Sequence, residues 1–224
     1  MEDVKELATS LSLDFSNEAL LSRALTHRSF LNETDDDSLA DNERLEFLGD
    51  AVLDFVVGAY LFDRYPDVDE GELTALRAAL VRAKTLAGFA KQWEIGRFLR
   101  LGYGEAENGG RKRIPILCAA FEAVIGAIYL DQGMEAVTRL VRPLIEPALD
   151  DIVAQSLHKD AKSEFQVWAQ GNFNITPRYE VIKSEGPDHA KVFTVQVLVG
   201  SEAWGVGVGR SKQAAAHEAA KEAM

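Results

Sequence analysis

The sequence predicts two domains: an all-α domain over residues 1–155 and a small α+β domain, ordered α-β-β-β-α, over residues 159–224. Three observations carry this expectation. Apolar residues recur at helical spacing from Asn17 to Ala154. After Asp160 the pattern changes to strand-like runs separated by glycine-containing turns. Charge divides at the same place: residues 1–155 hold 28 acidic and 16 basic residues, residues 156–224 hold 8 of each, and the net charge of −12 therefore belongs to the first part. The 224-residue chain accommodates two units at roughly 100–200 residues for a large domain and fewer for a small one.

The helical part reads as about six or seven helices. Its apolar sets are Leu20-Leu21-Ala24-Leu25, then Leu45-Leu48-Val52-Leu53-Val56, then Leu73-Leu76-Leu80-Val81. Ile116-Phe121-Ile125-Ile128 and Val137-Leu140-Val141-Leu144 follow. Tyr65-Pro66 and Gly102-Tyr103-Gly104 punctuate them. Ala154-Gln155-Ser156-Leu157-His158 is the candidate hinge. Residues 160–171 form an amphipathic helix with Phe165, Trp168 and Ala169 on one face. Strands are expected over 178–182, 192–199 and 203–208, with turns at Gly186-Pro187-Asp188-His189 and Gly200-Ser201, and an Ala-rich helix over 212–224 closes the chain.

Composition excludes several classes. Hydrophobic residues make up 47% and charged residues 27%, a globular balance that rules out a disordered chain or a collagen-like repeat. One cysteine, Cys118, cannot close an intramolecular disulfide, which points to a reducing, cytoplasmic setting. No apolar run approaches the ~20 residues of a membrane span, and the acidic start, Met1-Glu2-Asp3-Val4-Lys5-Glu6, lacks the order of a signal peptide. The acidity argues against a nucleic-acid partner only if it is evenly spread, and it is not.

Residues 42–53 read Asn-Glu-Arg-Leu-Glu-Phe-Leu-Gly-Asp-Ala-Val-Leu. Glu46 and Asp50 stand four apart, one turn from each other on a single helix face, where like charges repel. A hard divalent cation such as Mg²⁺ would relieve that repulsion; a solvated acidic face is the plainer reading. Gly49 favours the first, because a glycine inside a helix costs ~1 kcal/mol relative to alanine and marks close approach by another segment. His27, His158, His189 and His217 lack zinc-ligand spacing, and Cys118 lies in an apolar stretch as a small buried side chain.

The whole 42–53 run resembles the signature of the ribonuclease III family, endonucleases that cut double-stranded RNA. The resemblance continues in Leu25-Thr26-His27-Arg28-Ser29, in Gly71-Glu72-Leu73-Thr74 with Arg77 and Leu80-Val81, in Ile116 to Asp131, and in the α-β-β-β-α tail, which is similar to a double-stranded RNA-binding domain. It implies that Glu46, Asp50 and Glu122 are catalytic metal ligands for Mg²⁺, with Mn²⁺ as a substitute. It implies that Glu43 and Glu72 are outer acidic residues, and that Phe47 plugs the partner subunit of a homodimer. It implies products with 5′-phosphate and 3′-hydroxyl ends, a short 3′ overhang, and ribosomal and messenger RNA precursors as substrates.

One position departs from the family pattern. Where the last catalytic helix carries an acidic residue three before the glutamate, this chain has Ala119. Three readings follow: a site that binds Mg²⁺ with water filling the gap, a natively silent RNA-binding dimer, or an engineered variant that traps substrate. Asp54, a further turn along from Asp50, is a conceivable substitute ligand against a solvated or capping role.

Duplex RNA is read through its shallow minor groove and its phosphates. The resemblance places Ser163 and Gln166, on one face of the first tail helix, and His189, in the following turn, at minor-groove positions. Arg210, Ser211 and Lys212, at the start of the last helix, match phosphate-binding positions. Val167 and Gln213 replace polar and basic residues of the pattern. Arg111-Lys112-Arg113, the most basic cluster in the acidic part, is either a solvated loop or a phosphate contact. A metal-binding helical scaffold unrelated to RNA is the remaining alternative.

Overall fold

The structure is a computed structural model that describes residues 2–36, 38–154, 161–187 and 191–224. The chain forms two compact units, residues 1–158 and 159–224. The candidate hinge residues Gln155 to His158 lie outside the described residues.

Among the described residues the first unit is built from α1 (Glu2–Ser10), α2 (Glu18–Ala24), α3 (Arg28–Leu31), α4 (Glu43–Arg64), α5 (Glu70–Val81), α6 (Ala83–Gln92), α7 (Ile95–Phe98), α8 (Tyr103–Glu107), a 3₁₀ turn (Gly110–Lys112) and α9 (Ile114–Ala154). That is more helices than the six or seven expected. The excess lies in α3, α7 and α8, of four or five residues each, which are too short to show an apolar period.

Local chemistry sets several boundaries. Asn17 Oδ1 accepts from Ala19 N–H at the start of α2, and Asp69 Oδ1 accepts from Glu72 N–H at the start of α5. The carboxylate of Asp131 accepts from the backbone N–H groups of Ser16 and Asn17 and ties the loop before α2 to α9. The long α9 breaks at Gly133, whose φ of 79° is non-helical.

Two helices form the centre. α4 buries Leu45, Gly49, Val52, Leu53, Val56 and Val57 against α9, which buries Leu117, Ala120, Phe121, Val124, Ile125 and Ile128. Phe121 is fully buried, 5.7 Å from the Phe89 ring and 5.0 Å from the Trp93 ring. This anchor fixes the rotation of α9. Contrary to the expectation from apolar run length, α9 is long and apolar enough to cross a bilayer by length and composition; 61% of its most apolar stretch is buried within the protein, as in a core helix.

The second unit contains α10 (Ala161–Phe173), β1 (Arg178–Glu185), β2 (Val192–Val199), β3 (Glu202–Gly209) and α11 (Lys212–Ala223). The strands pair antiparallel in the order β1-β2-β3, so the expected α-β-β-β-α layout is present. Gly200, at φ 64°, supplies the left-handed turn between β2 and β3. Alternate residues of β3 are Gly205, Gly207 and Gly209, and a Cβ at any of them would overlap the backbone of α11. The facing residues on α11 are Ala215, Ala216, Ala219 and Ala220, all buried. Small residues on both surfaces thus let helix and sheet approach closely. Bulk comes from α10 instead: Phe165 is buried, and Trp168 packs 5.0 Å from Trp204 and 5.5 Å from Phe173. Trp168 sits at the rim rather than inside, being about one-third exposed.

Candidate metal centre and nucleic-acid interface

The site starts from a glycine contact. A Cβ on Gly49 would overlap the Glu122 carbonyl oxygen, and a Cβ on Gly126 would overlap the Leu45 carbonyl oxygen. Backbone therefore meets backbone where α4 crosses α9, in keeping with the glycine inside the 42–53 helix. Gly126 is the matching residue on α9, and no sequence signal singles it out.

The crossing brings the carboxylates together. Glu43, Glu46, Asp50 and Glu122 line one open cleft of about 530 Å³, with Phe47 at its edge. Glu122 is only 9% exposed. Burial, then the charges of Asp50 and Glu46, push its carboxyl up to about 7, against a lowering contribution from the Cys118 thiol. Glu46 is also held above the ordinary carboxylate range, chiefly by burial, then by Glu43, Asp50 and Asp41. Repulsion within the cluster is thus a feature of the folded protein, and bound positive charge would relieve it.

Cys118 has a role beyond packing. Its Sγ–H donates to Glu122 Oε1 at 3.5 Å. Burial and the neighbouring Glu122 carboxylate push the thiol up to about 12, so it stays protonated and remains a donor. This contact follows from i,i+4 spacing on α9, but nothing in the sequence marks the glutamate as buried.

Other acidic positions lie elsewhere. Glu72 is in the first turn of α5 and Asp54 is on α4; neither lines the cleft. Ala119 lines a second cleft of about 240 Å³, together with Pro115 and Ile116, that shares Glu43 and Glu46 with the first. Phe47 is 80% exposed, which removes the reading of it as an ordinary core residue. Phe55 and Phe62, further along α4, are exposed as well.

The donor set suits a hard cation, since every polar group aimed at the larger cleft is a carboxylate. Among the described residues, no three His, Cys, Asp or Glu side chains converge into a ready-made cage. The arrangement is an open acidic cleft rather than a closed cage of ligands.

The basic cluster resolves into separate parts. The Arg111 guanidinium donates to the carbonyls of Gly96, Arg97 and Leu99, so it clamps the end of α7. Arg113 pairs with Glu105 at 2.6 Å. Lys112 is exposed. Two of the three cations thus have structural partners: Arg111 on free carbonyls at a helix end and Arg113 on a carboxylate.

In the second unit Ser163 and Gln166 are exposed on α10, with Val167 beside them. His189 lies outside the described residues. Ser211 is the N-cap of α11, its Oγ accepting from Ala214 N–H at 3.1 Å. Arg210 and Lys212 flank it, both exposed.

Comparison with known proteins agrees with this arrangement. Residues 17–149 match the family model for ribonuclease-III-like proteins, and residues 161–224 match that for the double-stranded RNA binding motif. "Ribonuclease 3" of a Roseiflexus species is 46% identical over 225 residues, covering 100% of this chain and 95% of that one. "Ribonuclease 3" of a Nitratiruptor species is 46% identical over 224 residues, covering 100% and 96%. Among solved structures, the nuclease domain of ribonuclease III from Campylobacter jejuni, described as flexible in a region involved in dimer formation, superposes with a TM-score of 0.59 at 45% identity, covering 64% of this chain and 96% of that one. With a helical nuclease domain followed by a double-stranded RNA-binding domain, the chain belongs to the ribonuclease III family of endoribonucleases.

Proposed function

We propose that this endoribonuclease cuts each strand of an RNA duplex in a Mg²⁺-dependent reaction, using Glu46, Asp50 and Glu122. The observation that carries the proposal is the convergence of these carboxylates from α4 and α9 on one cleft. Glu46 and Asp50 would hold metal from α4, and Glu122 would do so from α9. Bound Mg²⁺ supplies an activated water and stabilises charge on the leaving oxygen of a phosphodiester. Glu43 lines the same cleft as an outer acidic residue. Cys118 holds one oxygen of Glu122 by its hydrogen bond, which leaves the other to face the cleft. The products would carry 5′-phosphate and 3′-hydroxyl ends with a short 3′ overhang. Ribosomal and messenger RNA precursors in the cytoplasm are the expected substrates.

Two active sites are needed to cut two strands, and a homodimer supplies them. Phe47, Phe55 and Phe62 support this reading, since three exposed phenylalanines along one helix are a large apolar surface to leave in water. The tail would grip the duplex through Ser163, Gln166, His189, Arg210 and Lys212.

Ala119 favours one second reading, an RNA-binding dimer without cleavage. Incubation of a labelled RNA duplex with the protein and Mg²⁺ or Mn²⁺ separates the two. Cutting to short products supports the endonuclease. Binding without cutting at any metal concentration supports the silent dimer.

A further inference from the structure

The cleft at Ala119 is separate from the carboxylate cleft but shares Glu43 and Glu46 with it. Its lining also includes His27 and Arg28, which carry hydrogen-bond donors. Hydrogen bonding fixes how the imidazole is presented. Gly102 N–H donates to Ser29 Oγ at 2.9 Å, and Ser29 N–H donates to His27 Nδ1 at 3.2 Å. Ser29 Oγ lies 2.8 Å from the same Nδ1. Nδ1 is therefore an acceptor, and the ring's donor is Nε2–H.

Arg28 is held loosely. Its guanidinium meets Glu43 at 3.4 Å, with both side chains more than half exposed. Exposed pairs of this kind contribute ~0–1 kcal/mol, so an RNA phosphate can replace the carboxylate at little cost. The cleft wall beside them is apolar and small at Ala119, in a cleft of about 240 Å³ next to Glu46.

We propose that His27 and Arg28 form a phosphate-binding subsite for the RNA strand, adjoining the scissile position. The proposal rests on the endonuclease reading, since it assigns the substrate of the same site. In it Arg28 exchanges Glu43 for a backbone phosphate flanking the cut, and His27 Nε2–H donates to the same phosphate.

The test is binding of the full chain to an RNA duplex over a series of KCl concentrations. Ca²⁺ replaces Mg²⁺, because it takes the same oxygen ligands with looser geometry. Arg28→Ala is expected to lower the slope of log Kd against log salt by about 0.9, the release of one counterion, and Arg28→Lys to keep the slope. His27→Asn preserves the helix cap through its side-chain carbonyl but lacks the Nε2 donor; it is expected to weaken binding about ten-fold with the slope unchanged. A wild-type slope for Arg28→Ala overturns the proposal. Lys212→Ala serves as the reference for a phosphate contact made by the other domain. If wild type neither cuts nor binds duplex RNA, the endonuclease reading fails and the subsite falls with it. If wild type cuts with Mg²⁺ and only Lys212→Ala lowers the slope, the subsite alone fails.

Discussion

The backbone of Gly49 lies against the carbonyl oxygen of Glu122, closer than any side chain at position 49 would permit. Glu46 and Asp50 belong to one helix and Glu122 to another, and this contact decides that they share a cleft. Gly126 repeats the relationship toward Leu45 one turn further along α9.

Gly49→Ala should therefore destabilise the nuclease domain although alanine is the better helix former. Overpacking costs about 1–3 kcal/mol and must also exceed the ~1 kcal/mol gained in helix propensity. Gly88→Ala, on α6 with open space around the new methyl, should stabilise by up to ~1 kcal/mol. Thermal melts of the two variants should move in opposite directions. Equal shifts would contradict the role assigned to the crossing.

Glu122 makes stability depend on pH when metal is chelated. Its folded pKa of about 7 lies above the ordinary carboxylate value of 4.5, so the folded state holds a proton that the unfolded state releases first. Stability is fully present below about pH 4.5 and falls as pH rises toward 7, by on the order of 3 kcal/mol from this group. Glu122→Gln should flatten most of that window in denaturant titrations, abolish RNA cleavage and leave duplex binding largely intact. Mg²⁺ should raise the melting temperature at pH 8 and not at pH 5, since it binds the ionised form.

Cys118→Ala should raise the Glu122 pKa further, because the thiol hydrogen bond favours the ionised carboxylate. The pH window of stability loss should extend upward, and half-maximal cleavage should require more Mg²⁺. Cys118→Ser keeps a donor and should stay near wild type in both measurements.

Ala119→Asp should increase cleavage at limiting Mg²⁺ on the order of ten-fold or more, equivalent to ~1.4 kcal/mol of barrier. The added carboxylate enters the cleft beside Glu46, so the chelated protein should lose stability as well. A rate unchanged by the substitution, over a full Mg²⁺ titration, would show that position 119 does not take part.

The sequence by itself determined the two-domain plan, because helical and strand periods are local properties of short windows. It also determined the facing pair Glu46 and Asp50, since i,i+4 geometry follows from one helix alone. It marked Gly49 as a place of close approach without naming what approaches. Tertiary structure decided the rest. Only the packing of α9 on α4, locked by Phe121 against Phe89 and Trp93, brought Glu122 to the pair and buried it. Only packing turned Cys118 from a small apolar side chain into the hydrogen-bond partner of a carboxylate, and Arg111 from a candidate phosphate contact into a clamp on α7. The net charge of −12 shows the same division. Composition counts charges, but the free energy of a charge depends on burial and on neighbours brought from distant positions in the chain.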